Sequence, residues 1–280
     1  MSGKTDLREI IRKTQVNPTH YKFEKIDGVE ELVELNLFGS RMVEIPNGLF
    51  DGLRYLRSLE LEFNDLRELQ PTVFSDLVSL EKLNLSKNSI RELPERIFSS
   101  NKNLKKIDIS ENRLKKIPQD IFNNLPELRS LNLHRNNLGE FIPSNQNIFS
   151  RCDQLQVLNL RNNYIRDIAN LLDNLKDLKE LDLSHNSLKK FKIKDGRNIK
   201  ILRLNSNELT SLDVKTFVLM DSLKEIYLQN NELTTIPPEV FQGKRLIYLD
   251  LRGNPLNVKI RQLWERHNLK KFFETVEIFG

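Results

Sequence analysis

An eleven-residue phrase, Leu-x-x-Leu-x-Leu-x-x-Asn-x-Leu, places its asparagine at Asn64, Asn88, Asn112, Asn136, Asn163, Asn186, Asn207, Asn231 and Asn254. A tenth copy, Leu32 to Met42, carries Ser40 at the asparagine place. The phrases begin at Leu32, Leu56, Leu80, Leu104, Leu128, Leu155, Leu178, Ile199, Leu223 and Leu246, giving spacings of 24, 24, 24, 24, 27, 23, 21, 24 and 23. A unit this short cannot bury its own apolar face, so the beat requires a stack of equivalent coils.

Within a phrase, Leu83-Asn84-Leu85 and Leu158-Asn159-Leu160 alternate with period two, the pattern of a short strand with one buried and one wet face. Equivalent units run in the same direction, so neighbouring strands must pair in parallel and each return segment must climb the opposite side. The asparagines read as structural. Where the chain leaves the strand and turns inward, backbone N–H and C=O groups lose their ladder partners, and one amide can both donate and accept, in its own turn and the next. Return segments place Phe50, Phe74, Phe98, Phe122, Phe149 and Phe217 six residues before the next phrase, a register that stacks rings into an interior spine. Leu172, Ile193 and Val240 stand there in the remaining units.

With returns such as Ile45-Pro46-Asn47-Gly48-Leu49-Phe50 and Ile117-Pro118-Gln119-Asp120-Ile121-Phe122, the chain resembles leucine-rich-repeat proteins of the 24-residue class over about Leu32 to Leu256. The resemblance implies an α/β solenoid: a right-handed horseshoe with a parallel concave sheet of about ten strands and an irregular or short-helical convex side. It also implies a partner, usually a protein, held on the concave sheet. Members serve as receptor ectodomains, bacterial surface or effector proteins, and targeting parts of intracellular enzymes. Extracellular members usually seal their ends with cysteine-rich caps, whereas Cys152 is the single cysteine here and closes no intramolecular disulfide.

The expected organisation is an N-terminal cap over 1–31, ten repeats over 32–256 and a helical C-terminal cap over 257–280. In the first cap Asp6 to Lys13 reads as an amphipathic turn or helix and Tyr21-Lys22-Phe23 as a lone strand; in the last, Lys259 to Phe273 has helical spacing. No apolar run suits a signal peptide or membrane span, and the one glycosylation sequon, Asn84-Leu85-Ser86, falls inside a strand. A cytoplasmic setting is expected, with secretion kept open. The 44 basic and 39 acidic residues are interspersed, so a net charge of +5 creates no strong field. The cluster Lys189 to Lys194 reads as a solvated outer face, and nucleic acid is not the expected partner. The three-residue lengthening around Pro143 to Asn147 should bulge outward.

Catalytic patterns are missing: Gly243-Lys244 is no phosphate loop, the four histidines lack zinc spacing, and Cys152 reads as a buried thiol. No cofactor, metal or enzymatic activity is expected. Function is sought at positions three, five, seven and eight of each phrase, which point away from the core. Ten strands about 4.8 Å apart would span roughly 40 Å, and forty such side chains exceed the roughly 20–30 residues of a standard interface side. Val157, Arg161, Ile201, Arg203, Tyr227, Tyr248 and Arg252 gather toward the C-terminal half as the first candidate patch, since exposed tyrosine and arginine on a rigid sheet dominate binding hot spots. The alternative is lateral stacking, in which Tyr227, Arg203 and Asp182 satisfy one another. His134, Arg135 and His185 form, with Arg161, a polar candidate that would favour an acidic partner below about pH 6.5. Phe38 and Phe63 are read as candidates or as residues packed under the N-terminal cap. The chain is thus expected to be a monomeric, non-catalytic protein-binding scaffold; it is alternatively the recognition part of a larger GTPase, kinase or ubiquitin ligase, or a secreted host-contact or pattern-recognition protein.

Overall fold

A computed structural model describes residues 20–23, 32–139, 148–149, 151–168, 171–194, 196–257 and 276–277. The helices expected in both caps and the bulge around Pro143 to Asn147 lie outside these residues. The chain divides into two compact units, Met1–Asn137 and Leu138–Gly280. The boundary falls within the one 27-residue spacing.

In the first unit, β1 (His20–Phe23) runs antiparallel to β2 (Leu32–Asn36), and β3 (Ser58–Glu60), β4 (Lys82–Asn84), β5 (Lys106–Asp108) and β6 (Ser130–Asn132) follow in parallel. In the second, β7 (Val157–Asn159), β8 (Glu180–Asp182), β9 (Ile201–Arg203), β10 (Glu225–Tyr227), β11 (Tyr248–Asp250) and β12 (Val276–Glu277) are parallel throughout. Tyr21 to Phe23 is therefore not a lone strand: it pairs with β2 and covers that edge, as β12 covers β11. The repeat strands are three residues long after β2, and their middle residues, from Leu59 to Leu249, are buried as the alternation predicts.

Every asparagine of the phrase is buried, and eight of them are bonded the same way. The Met42 N–H donates to Asn64 Oδ1 at 3.0 Å, while Asn64 Nδ2 donates to the carbonyls of Leu37 and Leu61 at 2.9 and 3.0 Å. Asn88, Asn112 and Asn136 repeat this in the first unit, and Asn186, Asn207, Asn231 and Asn254 in the second. The amide thus bonds its own coil and the preceding one, not the next as expected. Position eight then takes a left-handed backbone, from Phe63 (φ 58°) to Asn230 (φ 57°), with glycine at Gly39 and Gly253.

The return segments are chains of turns, such as Leu49 N–H to Pro46 O, Asp51 N–H to Gly48 O and Leu53 N–H to Phe50 O, with one 3-10 helix (Pro238–Phe241) among the described residues. Phe50, Phe74 and Phe98 stack at 6.2 and 6.3 Å between centroids, as expected of the spine in the first unit, where Phe122 is also buried. In the second, Phe217 stacks on Phe241 at 5.8 Å, so Phe241, not Val240, supplies the ring; Val240 is buried beside it. Ile193 is only half-buried, and Phe191 carries the burial in that coil.

Candidate functional site

A second ladder fixes the open face of the sheet. At position five, Asn36, Asn84, Asp108 and Asn132 in the first unit each accept the backbone N–H two residues on, at 2.9 to 3.2 Å. Asn159, Asp182 and Asp250 do the same in the second. This side-chain turn is what short amide and carboxylate residues supply. It also folds Ser110 and Ser184 inward, their hydroxyls donating to Asp108 and Asp182 at 2.6 Å. Ser86, Ser110 and Ser184 are buried, so position seven offers fewer side chains than the four open columns expected.

Two residues break this rule, Arg203 and Tyr227, and Glu60 keeps it only at 3.3 Å. An arginine cannot accept the bond, and the Tyr227 hydroxyl donates instead to Glu225 Oε2 at 3.0 Å. What Arg203 and Tyr227 do is stack. The pairing of β9, β10 and β11 sets Arg203 beside Tyr227 and Glu225 beside Tyr248. The Arg203 guanidinium lies 5.2 Å from the Tyr227 ring centroid, and the Tyr227 and Tyr248 rings are 4.7 Å apart at 35°. Arg203 also reaches Glu180 at 4.0 Å, the ion-pairing carboxylate being Glu180 where Asp182 was expected. Burial, then the bond to Glu225, raises the Tyr227 phenol above its ordinary pKa.

Not all of the patch converges. Ile201 is half-buried two residues before Arg203 on the same face. Arg252 clasps Asp250 through two hydrogen bonds, 2.9 Å from Nε and 2.5 Å from Nη2. Burial pushes the Asp250 carboxyl up, but the bonds from Arg252 outweigh it and hold the group below its ordinary value. Half of the Arg252 side chain stays exposed, yet its charge is spent on Asp250. Val157 and Arg161 belong to the coil of β7, with β8 between them and β9. Gln229, which the sequence did not single out, has its Oε1 buried without a hydrogen-bond partner.

The polar candidate resolves into local pairs. In the first unit His134 and Arg135 approach Glu111 at 3.8 and 3.1 Å. In the second, Arg161 Nη2 lies 3.3 Å from His185 Nε2. Burial, then the Arg161 charge, pushes the His185 imidazole below its ordinary value, which moves its protonation lower than the expected pH 6.5. Phe38 and Phe63 are 40% and 62% exposed and stack at 5.8 Å. Cys152 is buried; burial, then Asp153, pushes its thiol up to about 12.

Glu60 is the third residue at this position that is neither asparagine nor aspartate. It accepts the Glu62 N–H at only 3.3 Å, and burial above all pushes its carboxyl up to about 7; that bond opposes the rise, the Glu62 and Asp108 charges add to it, and Lys106 opposes it. A folded-state pKa above the ordinary 4.5 means that the folded protein holds a proton the unfolded chain releases. The stability that this gives is full below about 4.5 and is lost as pH rises through about 7. Glu60→Gln cannot ionise, so it is expected to melt above the natural chain at pH 8 and with it at pH 4; coincident melting at pH 8 would reject the assignment.

Models of the leucine rich repeat family match residues 30–90, 79–138 and 197–256, and a two-copy leucine rich repeat model matches 153–194. Podocan-like protein 1 of Homo sapiens is 31% identical over 117 residues, 40% of this chain and 23% of that protein. The chain therefore matches less than a quarter of that relative's length. Among solved structures, the Toll–Spatzle complex of Drosophila superposes with a TM-score of 0.70 at 27% identity, over 81% of this chain and 32% of that one. The TLR13–ssRNA13 complex gives 0.73 at 29%, over 88% and 36%. None of these supports the cytoplasmic setting expected from the sequence, and the second structure was solved with single-stranded RNA. Among the described residues no helix is long and apolar enough to cross a membrane.

Proposed function

The chain belongs to the leucine-rich-repeat family, and we propose that it is a non-catalytic binding scaffold that takes a protein partner on the open face of its parallel sheet, centred on Arg203, Tyr227 and Tyr248. The observation that carries this reading is the break in the position-five ladder. Asparagine or aspartate there supports the turn, and Arg203 and Tyr227 give that support up for a half-exposed cation and ring. Rigid, stacked aromatic and guanidinium groups lose little conformational entropy when covered, which suits them to anchor an interface. The likeness to Toll, solved with Spatzle, supports a protein as the partner.

The test is capture by the intact chain against the Arg203→Ala, Tyr227→Ala, Tyr248→Ala triple variant, with Tyr55→Ala as a control from an exposed return-side tyrosine. The triple variant is expected to bind the captured protein at least about thirtyfold more weakly, corresponding to about 2 kcal/mol, while melting like the natural chain. Undiminished capture by the folded triple variant rejects the patch.

The likeness to TLR13, solved with single-stranded RNA, supports a second reading with an RNA partner. Salt separates the two. Counterion release makes RNA affinity fall steeply between 50 and 200 mM salt, whereas an interface built on this stack should weaken little. A steep loss would favour the second reading.

A further inference from the structure

The first unit carries an aromatic pair that its core does not use. Phe38 follows β2 and Phe63 follows β3; their rings lie 17° from parallel and stand 40% and 62% exposed, outside the buried spine. Phe63 also holds φ at 58°, a left-handed backbone in which a bulky side chain is strained. The flanking coils meet the same position with Gly39 and Lys87. An exposed ring on a strained backbone costs free energy twice, and such costs persist where a surface is kept for another molecule.

Glu60 lies on the same face, three residues before Phe63. Asn36 from β2 and Asn84 from β4 are its register partners, with Glu34 and Lys82 one pleat away. Its neighbour Glu62 is already neutralised, accepting Lys87 Nζ at 2.7 Å and Asn84 Nδ2 at 3.3 Å. Among the described residues no cation comes within ion-pair distance of Glu60 itself. Two exposed rings and a half-buried carboxylate with no cation at ion-pair distance, on which Lys106 and Asp108 of β5 act only at longer range, are complementary to one kind of group. A delocalised or ammonium cation is attracted by the ring quadrupole and pairs with the carboxylate.

We propose that Phe38, Phe63 and Glu60 form a subsite for a cationic side chain, an arginine or lysine presented by an extended segment of a protein partner. Pairing with the cation favours ionised Glu60, so occupation releases a proton near pH 7. The affinity therefore rises with pH. Between pH 6 and pH 8 the ionised fraction of a group that titrates near 7 grows about tenfold, which bounds the gain.

The subsite is tested on the full chain with three capped pentapeptides that share a central leucine flanked by two arginines, two citrullines or two glutamates. Ring signals of labelled phenylalanine are followed by NMR, and each titration is run at pH 6 and pH 8. The arginine peptide is expected to shift the Phe38 and Phe63 signals and to bind five- to tenfold more tightly at pH 8. Glu60→Gln should flatten that pH change, and Phe63→Gly should weaken binding at both pH values without lowering the melting temperature. Equal binding of the citrulline peptide would reduce the pair to a plain apolar contact and overturn the proposal. So would unmoved ring signals at millimolar arginine peptide, preference for the glutamate peptide, or stronger shifts from a single-stranded oligonucleotide. None of these readouts involves Arg203, Tyr227 or Tyr248, so failure here leaves the proposed function standing and the reverse also holds.

Discussion

Asn112→Ala is expected to destabilise the first unit by about 3–5 kcal/mol. The amide Oδ1 is the side-chain acceptor of the Ile90 N–H, and Nδ2 donates to the carbonyls of Leu85, Ile109 and Ser110. Those carbonyls keep second donors: Asn88 Nδ2 on Leu85, Asn136 Nδ2 on Ile109 and the Lys87 N–H on Ser110. The Ile90 N–H has no such reserve. An orphaned buried donor costs about 1–3 kcal/mol, and three half-satisfied carbonyls with the void add the remainder. Asn112→Asp separates these contributions: it restores an acceptor for Ile90 but turns a carboxylate oxygen toward three carbonyl oxygens, so it should be no better than alanine at pH 7. Urea unfolding measures the loss, and faster hydrogen exchange at the Ile90 amide locates it. A loss below about 1.5 kcal/mol would mean that water replaces the amide, and the ladder would not be the fold's fastening.

The fold was legible because each place in the phrase answers one constraint, and spacing alone then stacks the coils. Leu59, Leu83, Ile107 and Leu131 are in lateral register because their phrases are 24 residues apart. Direction was less legible than period. A repeat looks the same read toward either neighbour, so nothing in the sequence says that Asn64 bonds the coil before it. The aromatic spine erred where the offset changed: the 3-10 helix that begins at Pro238 moves the ring one residue, from Val240 to Phe241. β12 carries no phrase at all, so its place beside β11 had no sequence signal.

At the candidate site, parallel pairing at constant offset put Arg203 next to Tyr227 as the columns implied, but side-chain direction chose Glu180 over Asp182 as its ion pair. Glu60 shows the other limit. As a residue type it is an ordinary surface acid; its raised pKa depends on how far the neighbouring coils close over it. A signal was nevertheless present. Position five is asparagine or aspartate in every copy except those with Glu60, Arg203 and Tyr227, and once the turn bond of that position is known, the three exceptions mark residues that the fold did not select.

Phe74→Ala should cost about as much as the asparagine replacement, roughly 3–5 kcal/mol, by a different route. The ring is fully buried and stacked on both sides, on Phe50 at 6.2 Å and Phe98 at 6.3 Å, so its removal leaves a void with aromatic walls that cannot collapse without moving two neighbouring coils. Phe74→Leu keeps most of the apolar volume and should lose under half as much. In a stacked array a defect is felt by the adjacent coils and fades beyond them. Urea unfolding should therefore show an earlier transition for the first unit, while capture through Arg203, Tyr227 and Tyr248 in the second unit persists at temperatures where the natural chain is folded. If Phe74→Ala abolished that capture while the first unit remained folded, the spine and the open face would be coupled, and treating the rings as packing alone would be wrong.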